Sequence, residues 1–493
     1  MDTQIMAGLA PVAARPAART AFVVGYGSGV TARVLSDVPG MQRIRVVEIE
    51  PAVLRAARYF LHVNDTVLAR PNVSVVVDDA RSALQLDSAS YDVIASEPSN
   101  PWLAGVATLY TPEFFQVVRS RLADDGVFCQ WVQLYQLPLP VVTGIVRNVR
   151  AVFPYVHLWF GAPGDVMVLG SARPLRYDRA WIARLVGPGA PLAELGKEYL
   201  GVDQPQDYFG HWLLGAAGVA RLLEHPAIVH RDDRPRLEFV AARRFIDGRG
   251  TAGVFDSLVT LRAATEAQDS LSPVLFARAL TVRRGDPVTF RYLSALQQTR
   301  TEPIWTASTA AVLLGAGDTA FADSALPRLH VAGRNPAAWL LSGLVSARRG
   351  DEAAARTLLA GALAAGADTA EAVAALAAVD ARSRRWAPAA RETRTVLATA
   401  RGTLRHPYPR DWLSDALTSF VLNGPPATAD SLLSLAVAGR PGWYKLHELR
   451  AVAALRAGHC DIAADEFILL VDFGIELVDA PQWVERCRQA PRR

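Results

Sequence analysis

The chain has 493 residues, 51% of them hydrophobic and 20% charged, with a formal net charge of +4. This composition excludes a disordered chain, and the small, dispersed positive charge excludes a typical nucleic-acid-binding protein. The length exceeds that of one ordinary core, so we expect two or three domains. Cys129, Cys460 and Cys487 form no closely spaced pair, and the histidines lack metal-ligand spacing. The sequence therefore predicts a reducing compartment and no metal site.

An apolar run from Ile5 to Ala14 follows an acidic start at Asp2. This run is not preceded by the positively charged region that begins a signal peptide. No stretch of about 18 residues is free enough of charged and polar breaks to span a membrane. We therefore expect a cytoplasmic protein without a membrane span in this chain.

A glycine-rich turn follows the first predicted strand. Residues 21–24 are apolar and lead into Gly25, Gly27 and Gly29, after which a helix is predicted with Ser28 available as its N-cap. Strand, glycine turn and helix begin many nucleotide-binding α/β domains, because glycine lets a ligand touch the main chain. The spacing is not the G-x-G-x-x-G of dinucleotide sites and is more usual around S-adenosyl ligands.

Acidic side chains lie at the ends of the next predicted strands. Glu48 ends the second strand, 19 residues after Gly29, where its carboxylate can accept hydrogen bonds from both hydroxyls of a ribose. The third and fourth strands end in Asp79 and Glu97. Helices alternate with these strands, which predicts a parallel sheet with helices on both faces and one site at its carboxyl edge. The last two strands are too close in sequence for a crossover helix, so one should be antiparallel.

From about residue 255 the sequence becomes rich in alanine and leucine with a helical pattern. Similar glycine, alanine and large apolar positions recur 33 residues apart from Gly317 to Gly350, and 34 apart from Gly424 to Gly458. This spacing is typical of tetratricopeptide repeats, whose concave surface suits a protein or peptide partner. The predicted segments are a nucleoside-binding domain over 1–245, a linker over 246–265 and tetratricopeptide-like repeats over 266–493.

Residues 2–240 resemble the spermidine synthase family, the polyamine aminopropyltransferases. The segments that carry the resemblance are Gly25–Gly29, Val47–Glu50, Asp78–Arg81, Tyr91–Ile94, Glu97–Pro101, Leu109–Phe115 and Asp232–Phe239, the last similar to the family's closing strand. The segment after the fourth strand looks most like bacterial versions fused behind a membrane-spanning half, which is missing here. The resemblance implies a Rossmann-like α/β sheet of the S-adenosylmethionine-dependent methyltransferase type.

The resemblance also implies a reaction and a set of site residues. The family moves the aminopropyl group of decarboxylated S-adenosylmethionine to a diamine and releases methylthioadenosine, without a metal. By position, Asp79 and Ala80 would hold the adenine, and the catalytic aspartate falls on Glu97, which would take a proton from the attacking amine. The predicted ligand-binding residues are Gly25, Tyr26, Gly27, Ser28, Gly29, Glu48, Ile49, Asp79 and Ala80 on the adenosyl side, and Gln4, Asn100 and Tyr110 on the acceptor side.

The sequence departs from the family at two charged positions. Ser28 and Asn100 stand where the family has aspartates that hold the aminopropyl ammonium and the diamine. Both changes remove a negative charge from a site for cations, so we expect a small-molecule amine acceptor other than ordinary putrescine. Two other functions stay open: an S-adenosylmethionine-dependent methyltransferase on the same sheet, and a non-catalytic scaffold whose repeats bind a protein.

Overall fold

This computed structural model describes most of the chain. The described residues are 1–246 apart from 102, 104, 136, 163 and 203, then 253–269, 276 and 279, and finally 336–489 apart from 367–368, 400–406, 440–443 and 473–478. They divide into two compact units, one up to residue 279 and the other from residue 336 onward. Each unit is described separately below.

The described part of the first unit is built on a sheet of eight strands. They are β1 (Thr20–Val24), β2 (Arg43–Glu48), β3 (Val73–Val77), β4 (Tyr91–Ser96), β5 (Leu122–Gln133), β6 (Tyr155–Phe160), β7 (Asp165–Ser171) and β8 (Trp212–Leu214). The order is β3-β2-β1-β4-β5-β7-β6-β8, with the first five strands parallel and β7 antiparallel between β5 and β6. The predicted Rossmann-like sheet is confirmed.

Helices cover both faces of this sheet. They are α1 (Asp2–Ala14), α2 (Val30–Asp37), α3 (Pro51–Ala56), α4 (Leu61–Asn64), α5 (Ala80–Leu86), α6 (Pro112–Arg121), α7 (Leu139–Val152), α8 (Arg179–Val186), α9 (Ala193–Leu195), α10 (Ala216–Leu222), α11 (Arg236–Ile246) and α12 (Val254–Asp269). On one face α1, α2 and α8 share a buried apolar cluster with the strands. On the other face the rings of Phe114, Phe115, Phe128 and Phe153 pack together. Short 3-10 turns connect several of these elements.

Helix α1 accounts for the apolar run near the start of the sequence. Every residue from Ile5 to Ala13 is buried, because the helix packs against α2 and against strands β5 and β7. Gly8 permits the close approach to α2, since a Cβ there would lie 2.8 Å from Cγ1 of Val34. The first turn of α1 thereby reaches the carboxyl edge of the sheet, where Gln4 contacts Ser28.

The predicted closing strand over Asp232–Phe239 is wrong. The residues from Arg231 to Arg236 are exposed, and the chain becomes helical at Arg236, where α11 begins. Arg231 and Arg234 form an isolated bridge within a turn. Charged, exposed residues without an apolar alternation give no buried face to a strand, so this segment does not join the sheet. An ion pair of 2.5 Å between Arg81 and Asp232 holds the turn instead.

The stretch proposed as a linker contains most of α12. Arg262 is 2% exposed and donates a hydrogen bond to the carbonyl of Trp212 at 2.8 Å. The ring of Phe255 packs edge-on against that of Phe160, with centroids 5.5 Å apart. These contacts assign α12 to the first unit, and the domain limits over 1–245, 246–265 and 266–493 stay a proposal.

The described part of the second unit is entirely helical, as predicted for the C-terminal region. Its helices are Pro336–Arg349, Glu352–Ala364, Thr369–Arg382, Trp386–Thr399, Pro407–Asn423, Pro426–Gly439, Tyr444–Ala457, Cys460–Asp472 and Ala480–Gln489. Gly350 and Gly458, both with φ of 79°, lie in the tight turns between paired helices. The tetratricopeptide assignment stays a prediction, and the copy around Gly317 lies outside the described residues.

The expectation about the cysteines is corrected. Cys460 and Cys487 form a disulfide although 27 residues separate them, because their helices pack together and bring the Cα atoms to 5.7 Å. Spacing in the sequence therefore gives no argument for a reducing compartment, and a cytoplasmic location stays a prediction. Among the described helices, none is long and apolar enough to cross a membrane.

Candidate active site

The glycine turn after β1 requires glycine at three positions. Gly25, Gly27 and Gly29 have φ values of 84°, 55° and 85°, in the left-handed region that other residues avoid. At Gly29 a Cβ would lie 2.3 Å from the hydroxyl oxygen of Tyr26. The Tyr26 ring is buried in the core, and burial raises the pKa of this tyrosine to about 12. Tyr26 therefore takes part in the site through its main-chain N–H, which donates to Glu48, and not through its buried hydroxyl.

Side chains on both sides hold the glycine turn in place. Ser28 does not cap α2, whose N-cap is Gly29; its hydroxyl donates to Oε1 of Gln4 at 2.7 Å. Asn64, which is 1% exposed, donates to the carbonyls of Ser28 and Ala57. Asn64 was not predicted from the sequence, because one asparagine in a helical stretch has no distinguishing pattern.

Glu48 lies beside the turn as predicted from its spacing. It is 7% exposed, and its Oε2 and Oε1 accept hydrogen bonds from the N–H groups of Tyr26 at 2.8 Å and Glu50 at 2.9 Å. Each carboxylate oxygen can accept a second hydrogen bond, so both hydroxyls of a ribose can still be bound. Next to it, Ile49 is 69% exposed and Val77 is 51% exposed. Both apolar side chains are therefore accessible to a ligand at the carboxyl ends of β2 and β3.

Asp79 lies at the neighbouring strand end and caps a helix. Its Oδ1 accepts a hydrogen bond of 2.7 Å from the N–H of Ser82, and Ala80 is the first residue of α5. The end of β3 is fixed to the end of β2, because the N–H of Asp78 donates to the carbonyl of Glu48 at 3.1 Å. The structure therefore brings Asp79 and Ala80 to the same edge of the sheet as Glu48. In this position the Asp79 side chain already acts as the N-cap of α5.

Glu97 follows β4, is partly buried, and contacts Thr31 in the first turn of α2. The Thr31 hydroxyl lies 2.7 Å from Oε2 of Glu97 and 3.1 Å from the carbonyl oxygen of Gln4. Burial raises the pKa of Glu97 to about 7, the hydrogen bond from Thr31 opposes this change, and the nearby Asp165 adds to it. A carboxyl group with a pKa near neutrality is suited to accept a proton from an amine.

Asp165, at the start of β7, is a site residue that was not predicted from the sequence. Its Oδ2 accepts a hydrogen bond of 2.6 Å from the Thr3 hydroxyl, and its Oδ1 accepts one of 2.9 Å from Nε1 of Trp131. Burial raises the pKa of Asp165, and the hydrogen bonds from Thr3 and Trp131 oppose this change. Its partners are distant in the sequence, so no local spacing could have indicated this carboxylate.

The other predicted acceptor residues lie near these two carboxylates. Tyr110 is 1% exposed, and its hydroxyl has no hydrogen-bond partner among the described residues. Burial raises the pKa of Tyr110, and nearby Tyr135, Glu97 and Asp165 raise it further. Asn100 accepts a hydrogen bond from the Tyr135 hydroxyl at 3.1 Å. In the described part of the chain, no group of three His, Cys, Asp or Glu side chains could hold a metal ion.

Comparison with known proteins identifies this part of the chain, since residues 3–162 match the family model of the spermine/spermidine synthase domain. The N-terminal part is a spermidine synthase domain. The polyamine aminopropyltransferase of Mycobacterium tuberculosis is 36% identical over 150 residues, which are 29% of this chain and 29% of that protein. That of Moorella thermoacetica is 27% identical over 185 residues, 34% of this chain and 62% of that protein.

Among solved structures, the spermidine synthase from Thermotoga maritima matches with a TM-score of 0.35 and 19% identity, over 45% of this chain and 73% of that chain. The chain spans less than two thirds of the length of the curated relatives named above. Every site residue predicted from the sequence, from Gln4 to Tyr110, lies inside the synthase domain match. Asp165 lies three residues beyond its end.

Proposed function

We propose that the spermidine synthase domain binds decarboxylated S-adenosylmethionine and transfers its aminopropyl group to an amine acceptor other than ordinary putrescine. The observation that carries this proposal is the pair of carboxylates Glu48 and Glu97, which lie at the ends of β2 and β4 on either side of β1 and its glycine turn. The names of the relatives, polyamine aminopropyltransferases, support the same reaction class.

The adenosyl ligand is bound by the ends of β1, β2 and β3 in this proposal. Glu48 accepts hydrogen bonds from the ribose hydroxyls, and the glycine turn lets the ligand approach the main chain. Ile49 contacts the adenine ring, and Asp79 with Ala80 binds its edge. Each charge-assisted hydrogen bond of this kind contributes about 1.5–3 kcal/mol.

The acceptor amine enters between Glu97 and the adenosyl ligand. Its neutral nitrogen attacks the carbon beside the sulfonium, the carbon–sulfur bond breaks, and methylthioadenosine leaves with the electron pair. The proton released from the new ammonium passes to Glu97, whose pKa of about 7 lets it accept and release protons near neutral pH. Ser28 supplies no charge to the aminopropyl ammonium and Asn100 supplies none to the acceptor, which argues against the ordinary diamine.

Calorimetric titration with methylthioadenosine tests the nucleoside part of the proposal. Glu48→Ala should weaken binding at least tenfold, about 1.4 kcal/mol. Glu50→Ala is the matched control, because Glu50 is an exposed carboxylate two residues away. The affinity of this variant for methylthioadenosine should stay within twofold of the wild-type value. Unchanged affinity in Glu48→Ala would refute the assignment. Titrations with S-adenosylmethionine and its decarboxylated form separate the reaction classes, since tighter binding of S-adenosylmethionine would favour a methyltransferase.

We also propose that the helical second unit binds a protein or peptide partner. Consecutive described helices pack against each other, among them Pro336–Arg349 with Glu352–Ala364 and Tyr444–Ala457 with Cys460–Asp472. Alanines such as Ala374, which is fully buried, allow close contact between neighbouring helices. A stack of such pairs presents an extended surface, which supports the proposal.

A further inference from the structure

Asp165 is a negative charge on the acceptor side that the family resemblance does not account for. It is the first residue of β7 and pairs in the sheet with Gln133, the last residue of β5. The Thr3 hydroxyl and Nε1 of Trp131 each donate to one of its two oxygens, at 2.6 and 2.9 Å. Both of these side-chain donors are neutral and orient the carboxylate, and the positively charged N-terminal amino group also lies close enough to favour the ionised form of Asp165.

The first turn of α1 fixes Asp165 and Glu97 in the same region. Thr3 binds Asp165, and the carbonyl of the adjacent Gln4 lies 3.1 Å from the Thr31 hydroxyl, which lies 2.7 Å from Glu97. The two carboxylates are also close enough for Asp165 to raise the pKa of Glu97. Two partly or fully buried carboxylates that repel each other are stabilised by a bound cation.

Unpartnered polar atoms lie around the same two carboxylates. Gln133 is fully buried, and neither its amide nitrogen nor its amide oxygen has a hydrogen-bond partner among the described residues. The buried Tyr110 hydroxyl, within electrostatic reach of Glu97 and Asp165, also lacks one. Buried polar atoms are almost always paired, so such a group beside a carboxylate indicates a polar ligand.

We propose that Asp165 binds the second, non-reacting ammonium of the acceptor, which is therefore a diamine or longer polyamine, with Gln133 and Tyr110 supplying further hydrogen bonds. This inference rests on the proposed function, because Glu97 marks the position of the reacting nitrogen. The negative charge for this ammonium is Asp165 on β7, whereas Asn100 in the loop after β4 carries none. The spacing between nitrogens that the site selects should therefore differ from that of putrescine.

The test is a calorimetric titration of the full chain, saturated with methylthioadenosine, with diaminopropane, putrescine, cadaverine and the monoamine butylamine. Asp165→Asn should lower the affinity for the best diamine about ten- to hundredfold, the effect of one charge-assisted contact. Butylamine binding should change less than twofold, because a monoamine has no second ammonium. Asp124→Asn, an 89% exposed carboxylate near the opposite end of β5, is the control and should bind all amines like the wild type.

The binding of methylthioadenosine separates the outcomes. If every variant binds methylthioadenosine but Asp165→Asn keeps its diamine affinity, or loses diamine and monoamine equally, the role of Asp165 is refuted while the proposed function stands. If the wild type binds methylthioadenosine but no diamine, the inference is refuted in the same way. If the wild type does not bind methylthioadenosine, the proposed function fails and this inference fails with it. Trp131→Phe, which removes one hydrogen bond to Asp165, should give a smaller loss in the same direction.

Discussion

Replacing Glu97 by glutamine should remove a pH-dependent cost to the stability of the synthase domain. Burial raises the pKa of Glu97 from 4.5 to about 7 in the folded protein. Between these two values the folded state keeps a proton that the unfolded chain has released, so the free energy of unfolding falls as the pH rises from about 4.5 to 7. The difference between the two pKa values corresponds to about 3 kcal/mol.

Glutamine at this position has the same shape and no charge to bury. Its carbonyl oxygen can still accept the hydrogen bond from Thr31. At pH 8 the Glu97→Gln variant should therefore be more stable than the wild type by up to about 3 kcal/mol, and at pH 5 the two should differ little. A bound cationic acceptor favours the charged carboxylate, so saturating amine should reduce the advantage of the variant.

Urea unfolding at pH 5 and at pH 8 measures this difference in stability. Scanning calorimetry then separates the unfolding of the two units. Asp124→Asn is the control, because its side chain is 89% exposed and its charge costs little to keep in the folded state. An equal stability difference at both pH values would show that the effect of Glu97→Gln is packing and not charge. A variant less stable than the wild type at pH 8 would refute the reasoning.

Three further predictions follow from the same site and from the helical unit. The rate of amine transfer should rise with pH through about 7, because Glu97 must be ionised to accept a proton; a profile that is flat between pH 6 and 8 would contradict its role as a base. The double variant Ser28→Asp, Asn100→Asp should gain ~10²–10⁴ in efficiency with putrescine over the unmodified chain, through two restored charge contacts; robust turnover of putrescine by the unmodified chain would contradict the charge argument. A fragment over 293–493, which excludes α12, should be soluble and strongly helical by circular dichroism; a disordered spectrum would count against a separable helical unit.

The sheet could be predicted from the sequence because its strands are short apolar runs with distinct ends. β3 ends at Val77 and β4 at Ser96, so Asp79 and Glu97 follow these two strands closely, as expected from the sequence. The position of Glu48 beside the glycine turn could also be predicted, since the turn and the end of the next strand lie side by side in a parallel sheet. Local pattern is sufficient wherever the site is formed by consecutive strand ends.

Contacts between distant parts of the chain could not be predicted in this way. Asp165 is held by Thr3, 162 positions away, and by Trp131, on a different strand. The disulfide of Cys460 depends on the packing of two helices, which spacing alone does not reveal. Helix α1 is apolar on every side and therefore has no amphipathic period by which to recognise it.

The first turn of α1 connects the two halves of the proposed site energetically. Gln4 accepts the hydrogen bond of Ser28 on the adenosyl side, while the adjacent Thr3 orients Asp165 on the acceptor side. We expect a ligand that rearranges the contact between Ser28 and Gln4 to shift Thr3 as well, because Thr3 and Gln4 are adjacent residues in one helical turn. Such coupling is reciprocal: the factor by which the adenosyl ligand changes the affinity for the amine equals the factor by which the amine changes the affinity for the adenosyl ligand.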